Sequence, residues 1–361
     1  MKGTTKEQYF VSRLLNWNEK QNTRQMPWKG EKDPYKIWLS EIILQQTRVE
    51  QGLSYYNRFL KAFPTVKHLA KAKEVQVFKL WEGLGYYTRC KNLIATAKNI
   101  ANKLNGKFPD KYEDILALKG IGPYTAAAIG SFAFNIPKAV VDGNVFRVLA
   151  RYFGIGTPID SIDGKKEFSV LADGLLEKNK PGIYNQALMD FGAVVCKPQS
   201  PLCNSCPLNK KCMAFISNKV NELPLKGKSI AKKTRWFYYL IIEYQGKYYI
   251  RKRAPKDIWE NLYEFVLVEK SRHLPINELL ASGEMKTVAG KSKLEIESVS
   301  RQYKQVLTHQ VILGQFIKAK TNQQLKIKGF ELAGKKELAG LPFPKFINQY
   351  LQDKTVPLNL L

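Results

Sequence analysis

Between residues 196 and 212 the chain places four cysteines, Cys196, Cys203, Cys206 and Cys212, in the spacing C-x6-C-x2-C-x5-C. Nothing else in the sequence restricts the fold as much, because four thiols in so short a stretch have to converge on something. An intracellular chain has little use for such close cysteines as disulfides, so a metal centre is expected. Zinc accepts four thiolates, and so does a [4Fe–4S] cluster; the spacing does not choose between them. The remaining cysteine, Cys90, reads as a small buried hydrophobe.

Upstream lies a second organising stretch, Leu118 to Asn144, which reads LKGIGPYTAAAIGSFAFNIPKAVVDGN. Gly120 and Gly122 make a turn in which backbone N–H groups can approach a ligand without an intervening Cβ. Pro123 suits the first turn of a small-residue helix predicted to run to about Phe134. A Pro-containing turn then leads to Asp142-Gly143-Asn144, where a further helical pattern (Val145, Val148, Leu149) begins. Amides at a helix N-terminus bind phosphate, and Asp142 is also a good N-cap. Two readings stay open: a phosphate clamp followed by a working carboxylate, or a plain helical hairpin.

Charge bears on that choice. The chain has 361 residues, enough for two domains, with 58 Lys+Arg against 31 Asp+Glu and a formal net charge of +27. Residues 221–361 carry +12 of it and residues 1–220 the other +15, so the excess is not a tail. Such a balance calls for a polyanion, nucleic acid before membrane. No run of 18 apolar residues and no signal peptide is found, so a soluble, intracellular (cytoplasmic, nucleoid-associated) monomer is expected.

The N-terminal part is helical in pattern. Lys6 to Trp17 shows helical spacing, and Asn22 to Lys32 is irregular, with Arg24, Pro27 and Trp28. Asp33-Pro34 is a cap and first-turn proline for a helix through Leu44. Within it, Glu41 has Ile37, Trp38, Leu44 and Gln45 as helical neighbours. It either reaches water at the edge of that face or is a desolvated carboxyl able to hold a proton near neutral pH. Gln45-Gln46-Thr47-Arg48 then offers polar groups for bases or phosphates. Further on, Leu80 to Arg89 sets Tyr86 and Tyr87 on a Gly-rich turn, where an aromatic can wedge into a base stack.

Beyond Cys212 the composition changes. Residues 221–234 hold Pro224, Gly227 and several lysines and read as a linker. From residue 235 an α+β domain is predicted to run to 361: a strand Trp236–Tyr244, a Gln245-Gly246 turn into Lys247–Arg251, strands Leu262–Val268 and Val311–Ala319, and helices near Asn277–Ala281 and Pro344–Leu351.

These residues together resemble the helix-hairpin-helix superfamily of base-excision DNA glycosylases. Within it, Trp38-Leu-Ser-Glu41-Ile-Ile-Leu-Gln-Gln-Thr-Arg48, Gly83-Leu-Gly-Tyr-Tyr87, Val141-Asp-Gly-Asn-Val145 and Asn185-Gln-Ala-Leu-Met-Asp190 are similar to the adenine-removing (MutY-type) branch. The resemblance covers residues 1–220 closely and 235–361 more loosely. It implies a mostly α N-terminal helix-hairpin-helix glycosylase domain with an iron–sulfur module at 196–212, plus a C-terminal α+β Nudix-like domain. The implied activity is monofunctional hydrolysis of the N-glycosidic bond of adenine mispaired with 8-oxoguanine or guanine in duplex DNA.

The resemblance also distributes roles. The four cysteines would hold [4Fe–4S], and the 197–202 segment would touch DNA. Glu41 would protonate the flipped adenine, Asp142 would stabilise the sugar cation, and Tyr124 and Asn144 would orient these groups and the water. Arg24, Trp28 and Gln186 would line the adenine pocket, while Tyr86 wedges beside the lesion and Gln46 fills the space. Relatives that also cut the backbone carry a lysine where Tyr124 stands, as a Schiff-base nucleophile. Phe146 replaces a lysine that some relatives use on DNA. In the C-terminal domain no glutamate-rich Nudix box follows Glu260–Phe265, which argues against Mg²⁺-dependent pyrophosphate hydrolysis. Leu307-Thr308-His309 matches a Phe-Ser-His loop that inspects 8-oxoguanine, with the aromatic lost. Two rival classes explain less: a non-catalytic iron–sulfur DNA binder leaves Glu41 and Asp142 idle, and a bifunctional pyrimidine-lesion glycosylase conflicts with Tyr124.

Overall fold

The computed structural model describes residues 5–227 and 231–353. They form two compact units, one drawn from residues 5–71 and 92–227, the other from 72–91 and 231–353.

In the first unit the regular elements, among the described residues, are helices. The N-terminal helix Lys6–Lys20 opens with a capping box between Thr5 and Gln8 and buries Phe10, Leu14 and Trp17. Trp17 meets Phe191 edge-on at 4.9 Å. The helix Pro34–Leu44 begins as the sequence predicts, with the Asp33 side chain accepting from the Tyr35 N–H and Pro34 in the first turn. It is buried on nearly every side, from Tyr35 and Ile37 through to Ile43, which marks a helix running through the interior. The helix Pro123–Phe134 packs against it and matches its predicted limits. Thr125, the three alanines 126–128 and Gly130 are all buried there; small side chains let two backbones approach.

Two more helices complete the frame around the cavity described below. Gly143–Phe153 starts at Asp142 and buries Val145, Val148 and Leu149. Pro181–Val194 lies beside it, and a Cβ at Gly192 would fall 2.6 Å from the Asn144 Cβ. That approach is possible only with glycine at 192.

The second unit is a seven-stranded sheet, among the described residues, with helices packed on it. The strands are β1 (Lys233–Tyr244), β2 (Lys247–Lys252), β3 (Tyr263–Lys270), β4 (Glu295–Val299), β5 (Tyr303–Val306), β6 (Gln310–Lys320) and β7 (Glu331–Gly334). Their order is β4-β6-β1-β3-β2-β7, with β5 on β6. Among the described residues only the β1–β6 pair is parallel, from Lys233 opposite Gln310 to Glu243 opposite Lys320. The unbroken apolar run of β1 follows from burial on both faces. Tyr238, Leu240 and Ile242 enter one core with Val266, Leu279 and Ile317. Phe237 and Tyr239 face Trp259, Phe316 and Phe346.

The segmentation differs from the sequence reading in two places. Of the expected linker 221–234, residues 228–230 lie outside the described residues, as do 1–4 and 354–361 of the flanking domains. The start of that linker is packed chain: Leu223 is buried, its carbonyl accepts from Arg151 Nε at 3.0 Å, and the Gly227 N–H donates to Asp160 at 2.7 Å. Its end, Lys233 and Thr234, already pairs with Gln310 and Val311. Residues 72–91, read as part of 1–220, group with the sheet. There Lys79 Nζ donates to the Leu341 carbonyl at 2.9 Å, and Glu82 Oε1 accepts from the Phe343 N–H at 2.8 Å.

Candidate active site

A cavity of about 610 Å³ opens in the first unit, and most of the residues singled out from the sequence line it: Glu41, Gln46, Thr47, Tyr124, Asp142 and Asn144, with Arg24, Trp28 and Gln186. Its size suits a drug-sized or nucleoside-sized ligand. Glu41 is only 7 % exposed, so it does not reach water at the edge of its helix. One neighbour contacts its carboxyl directly: the Tyr124 hydroxyl donates to Oε2 at 2.5 Å. Burial pushes the Glu41 pKa up to about 7, against the lowering effect of the Tyr124 hydrogen bond and with a further push from the negative charge of Asp142. A carboxyl of that kind holds a proton near neutrality and can give it away.

Asp142 has different surroundings. Its Oδ1 accepts from the Asn144 and Val145 N–H groups, both at 2.8 Å, and its Oδ2 from Asn144 Nδ2 at 2.7 Å. It caps the Gly143–Phe153 helix, so the helix N-terminus also faces it. Burial raises its pKa, and the three hydrogen bonds and nearby Arg147 oppose that rise. Among the described residues, Glu41 has one donor, the Tyr124 hydroxyl, and no cation acting against its desolvation. The two carboxyls are therefore biased apart, one toward the acid and one toward the anion.

Asn144 is itself held. Arg147 Nη2 donates to Asn144 Oδ1 at 2.8 Å and to the Gly192 carbonyl at 2.7 Å, while its Nε donates to the Cys196 carbonyl at 2.8 Å. The sequence reading did not single out Arg147, since an arginine on an amphipathic helix reads as solvated. Nor did it assign Asp190 or Lys29. Asp190 is fully buried and accepts from Arg24 at 2.8 Å, Lys29 at 3.0 Å, Asn22 at 2.9 Å and Gln186 at 2.9 Å. A carboxylate at the end of an apolar run, four residues after Gln186, was the available signal.

The other expected residues fall as follows. Gln46 has φ of +55° and is exposed, and Gln45 before it donates to the Thr125 hydroxyl at 3.2 Å. Arg48 does not line the cavity; it is exposed at the N-cap of the helix Val49–Ala62. Trp28 meets Tyr56 edge-on at 5.5 Å. Gly120 has φ of +79° and packs on Asn92, whose Cβ would lie 2.6 Å from an added Cβ. At Gly122 the backbone is extended and a Cβ would meet nothing in the chain. Phe146 packs on Phe168 at 5.1 Å, which gives it an interior contact.

The four cysteines are unpaired and line one small cavity of about 30 Å³ together with Arg151, Leu202 and Phe215. Arg151 donates to Cys196 Sγ at 3.5 Å and to the Lys197 carbonyl at 2.8 Å. Burial raises the Cys203, Cys206 and Cys212 thiols, Cys206 to about 12. Among the described residues no group of three His, Cys, Asp or Glu is close enough to hold a single metal ion. Four thiols around one cavity, with a guanidinium beside them, are the chemistry of a centre that takes thiolate ligands.

In the second unit, Tyr86 directly follows Gly85, has φ of +49° and is 48 % exposed, with the Arg89 guanidinium over its ring at 4.9 Å. Leu307, Thr308 and His309 form the turn between β5 and β6. Leu307 N–H donates to the Gln310 carbonyl, the His309 carbonyl accepts from the Lys233 N–H, and Thr308 and His309 are exposed.

Comparison with known proteins gives the family. A family model described as "HhH-GPD superfamily base excision DNA repair protein" matches residues 39–172, and a NUDIX domain model matches 237–353. The solved structure of a thermostable thymine-DNA glycosylase superposes with a TM-score of 0.55 at 31% identity, over 59% of this chain and 97% of that one. A non-covalent Endonuclease III–DNA complex shares the fold with a TM-score of 0.51 at 22% identity, over 59% of this chain and 98% of that chain. Fold and family models thus define a helix-hairpin-helix DNA glycosylase, a hydrolase of N-glycosyl bonds in base-excision repair, carrying a Nudix-like domain. The adenine DNA glycosylase of Buchnera aphidicola (subspecies Baizongia pistaciae) is 40% identical over 261 residues, 71% of this chain and 73% of that protein. The chain belongs to the adenine DNA glycosylase family. No described helix is long and apolar enough to cross a membrane.

Proposed function

We propose that the chain removes adenine mispaired with 8-oxoguanine or guanine from duplex DNA. Adenosine flips from the stack into the cavity, at a cost of a few kcal/mol. The Glu41 carboxyl gives its proton to adenine N7. The C1′–N9 bond breaks with its electron pair passing to the base, and the Asp142 carboxylate faces the resulting oxocarbenium ion. Water adds to C1′ and returns a proton to Glu41, which regenerates the acid. Tyr124 orients Glu41, and Asn144 orients Asp142. The observation that carries this reading is the contrast between the two carboxyls: burial with one phenol at Glu41, three donors and a helix N-terminus at Asp142.

Among the described residues, the two amines that line the cavity are both engaged by oxygen acceptors. Lys29 Nζ donates to Asp190 and to the Arg24 carbonyl, and Lys32 Nζ to the Phe132 carbonyl. With Tyr124 at the hairpin, this supports hydrolysis alone, without strand cleavage. Cys196, Cys203, Cys206 and Cys212 would hold a [4Fe–4S] cluster. That group would supply rigidity and position the 197–202 segment toward DNA. The domain beginning at residue 235 would read the partner base through Thr308 and His309, and Tyr86 and Gln46 would fill the stack.

The test is a single-turnover reaction on duplexes with adenine opposite 8-oxoguanine, guanine or thymine, scored for abasic product and for strand breaks. Abasic product from the first two, without strand breaks, is expected. Adenine left intact in all three duplexes would refute the reading.

A further inference from the structure

Asp190 belongs to no carboxyl pair, yet it is completely buried beneath one wall of the cavity. A buried carboxylate is retained only if its hydrogen-bonding capacity is filled. Here four side chains fill it: Arg24 Nη1 and Gln186 Nε2 on Oδ1, Lys29 Nζ and Asn22 Nδ2 on Oδ2, all between 2.8 and 3.0 Å. The irregular segment from Asn22 to Lys29 folds around this point. Asn22 Oδ1 accepts from the Arg24 N–H at 3.1 Å, and Lys29 Nζ reaches the Arg24 carbonyl at 2.9 Å. Three of these groups, Arg24, Lys29 and Gln186, line the cavity.

The chemistry of the pair formed with Gln186 has a consequence for selectivity. A carboxylate only accepts hydrogen bonds, so the Gln186 side chain must turn its NH₂ to Asp190. This removes the usual ambiguity of an amide, whose two ends are close to isosteric. The carbonyl Oε1 is then the end left for the cavity. A purine placed with N7 at Glu41 carries its 6-substituent on the adjoining edge of the ring. An acceptor satisfies a 6-amino donor and repels a 6-oxo group.

We infer that Asp190 is a positioning residue that sets the Gln186 amide, and with it the cavity wall, to accept from a 6-aminopurine in preference to a purine without that donor. This rests on the base-flipping reading above and adds to it a source of base selectivity. Sites built around a required donor discriminate strongly, because the wrong ligand leaves a buried group unpaired.

The experiment uses the full chain and single-turnover excision of adenine, unsubstituted purine and hypoxanthine, each opposite 8-oxoguanine. Asp190→Asn presents either an oxygen or an amide to Gln186, so the orientation is no longer fixed. Adenine excision should fall about tenfold more than purine excision, and the gap between adenine and hypoxanthine should narrow. Gln186→Leu, a half-buried position that can lose its amide without unpairing two cations, should collapse the adenine-to-purine ratio to a similar extent. The double variant should fall no further in that ratio. If both variants slow adenine and purine equally, Asp190 serves the fold alone and the inference is wrong. Absence of adenine excision by the unmodified chain would instead strike the functional reading and remove the basis for both.

Discussion

Glu41 in the helical unit and Glu264 in the sheet unit are both glutamates with less than a tenth of their surface exposed. Around Glu264 the chain supplies cations. Arg253 pairs with Oε2, Arg251 donates to Oε1 at 2.9 Å, and the network runs on through Asp257 and Arg235 to Glu269. Around Glu41 it supplies apolar side chains and one phenol. The first environment compensates a charge and ties β2 to β3; the second penalises a charge and keeps a proton. Burial alone therefore does not mark a working carboxyl. What marks it is burial without a cation, beside a cavity.

Substitutions can break the two environments separately. Glu41→Gln keeps the shape and removes the proton, and adenine release should drop at least a thousandfold while duplex binding stays within about tenfold, in line with loss of a general acid. Single-turnover rates and a binding titration check this; excision within tenfold of the parent would end the assignment. Glu264→Gln should leave the excision rate of folded protein unchanged but lower stability by about 3 kcal/mol, because the buried Arg253 loses one of its two carboxylate partners and keeps only the half-exposed Asp257. Denaturant unfolding followed by an activity assay separates the two effects.

The same contrast has a pH signature. Glu41 has a folded pKa above its unfolded one, so its contribution to stability is present in full below pH 4.5 and is lost as pH rises through about 7. At pH 8 the Glu41→Gln variant should thus gain roughly 3 kcal/mol relative to the parent, compared with pH 4. Equal stability differences at the two pH values would mean that Glu41 is not desolvated. The smallest effect belongs to the sheet unit. Thr308→Ala with His309→Ala should cost about 1–3 kcal/mol of preference for 8-oxoguanine over guanine and leave guanine-paired excision nearly unchanged. Competition between the two duplexes measures it.

Much of this was legible in the chain. Asp33-Pro34, Pro123 and Asp142 are local signals with local causes, and the helix starts fall where they predict. The β1–β2 hairpin was equally local, with Gln245-Gly246 as its turn. What escaped depends on distance in sequence. Whether Glu41 lies at an edge or in the interior is decided by what packs on the far side of its helix. Asp190 gathers partners 161 to 168 residues away, and Arg147 bridges Asn144 to the cysteine segment. The short strands β4, β5 and β7 carry weak alternation and take their form from pairing with long neighbours. The grouping of residues 72–91 with the sheet rests on contacts such as Glu82 with Phe343, which no local pattern announces.

The central claim is that a buried Glu41 carries the proton that adenine receives. It is tested most directly by the pH dependence of single-turnover adenine excision from a saturated duplex. The rate should hold below about pH 7 and fall close to tenfold per pH unit above it, as the carboxyl loses its proton. A rate that stays level or climbs between pH 7 and 9 would contradict the claim.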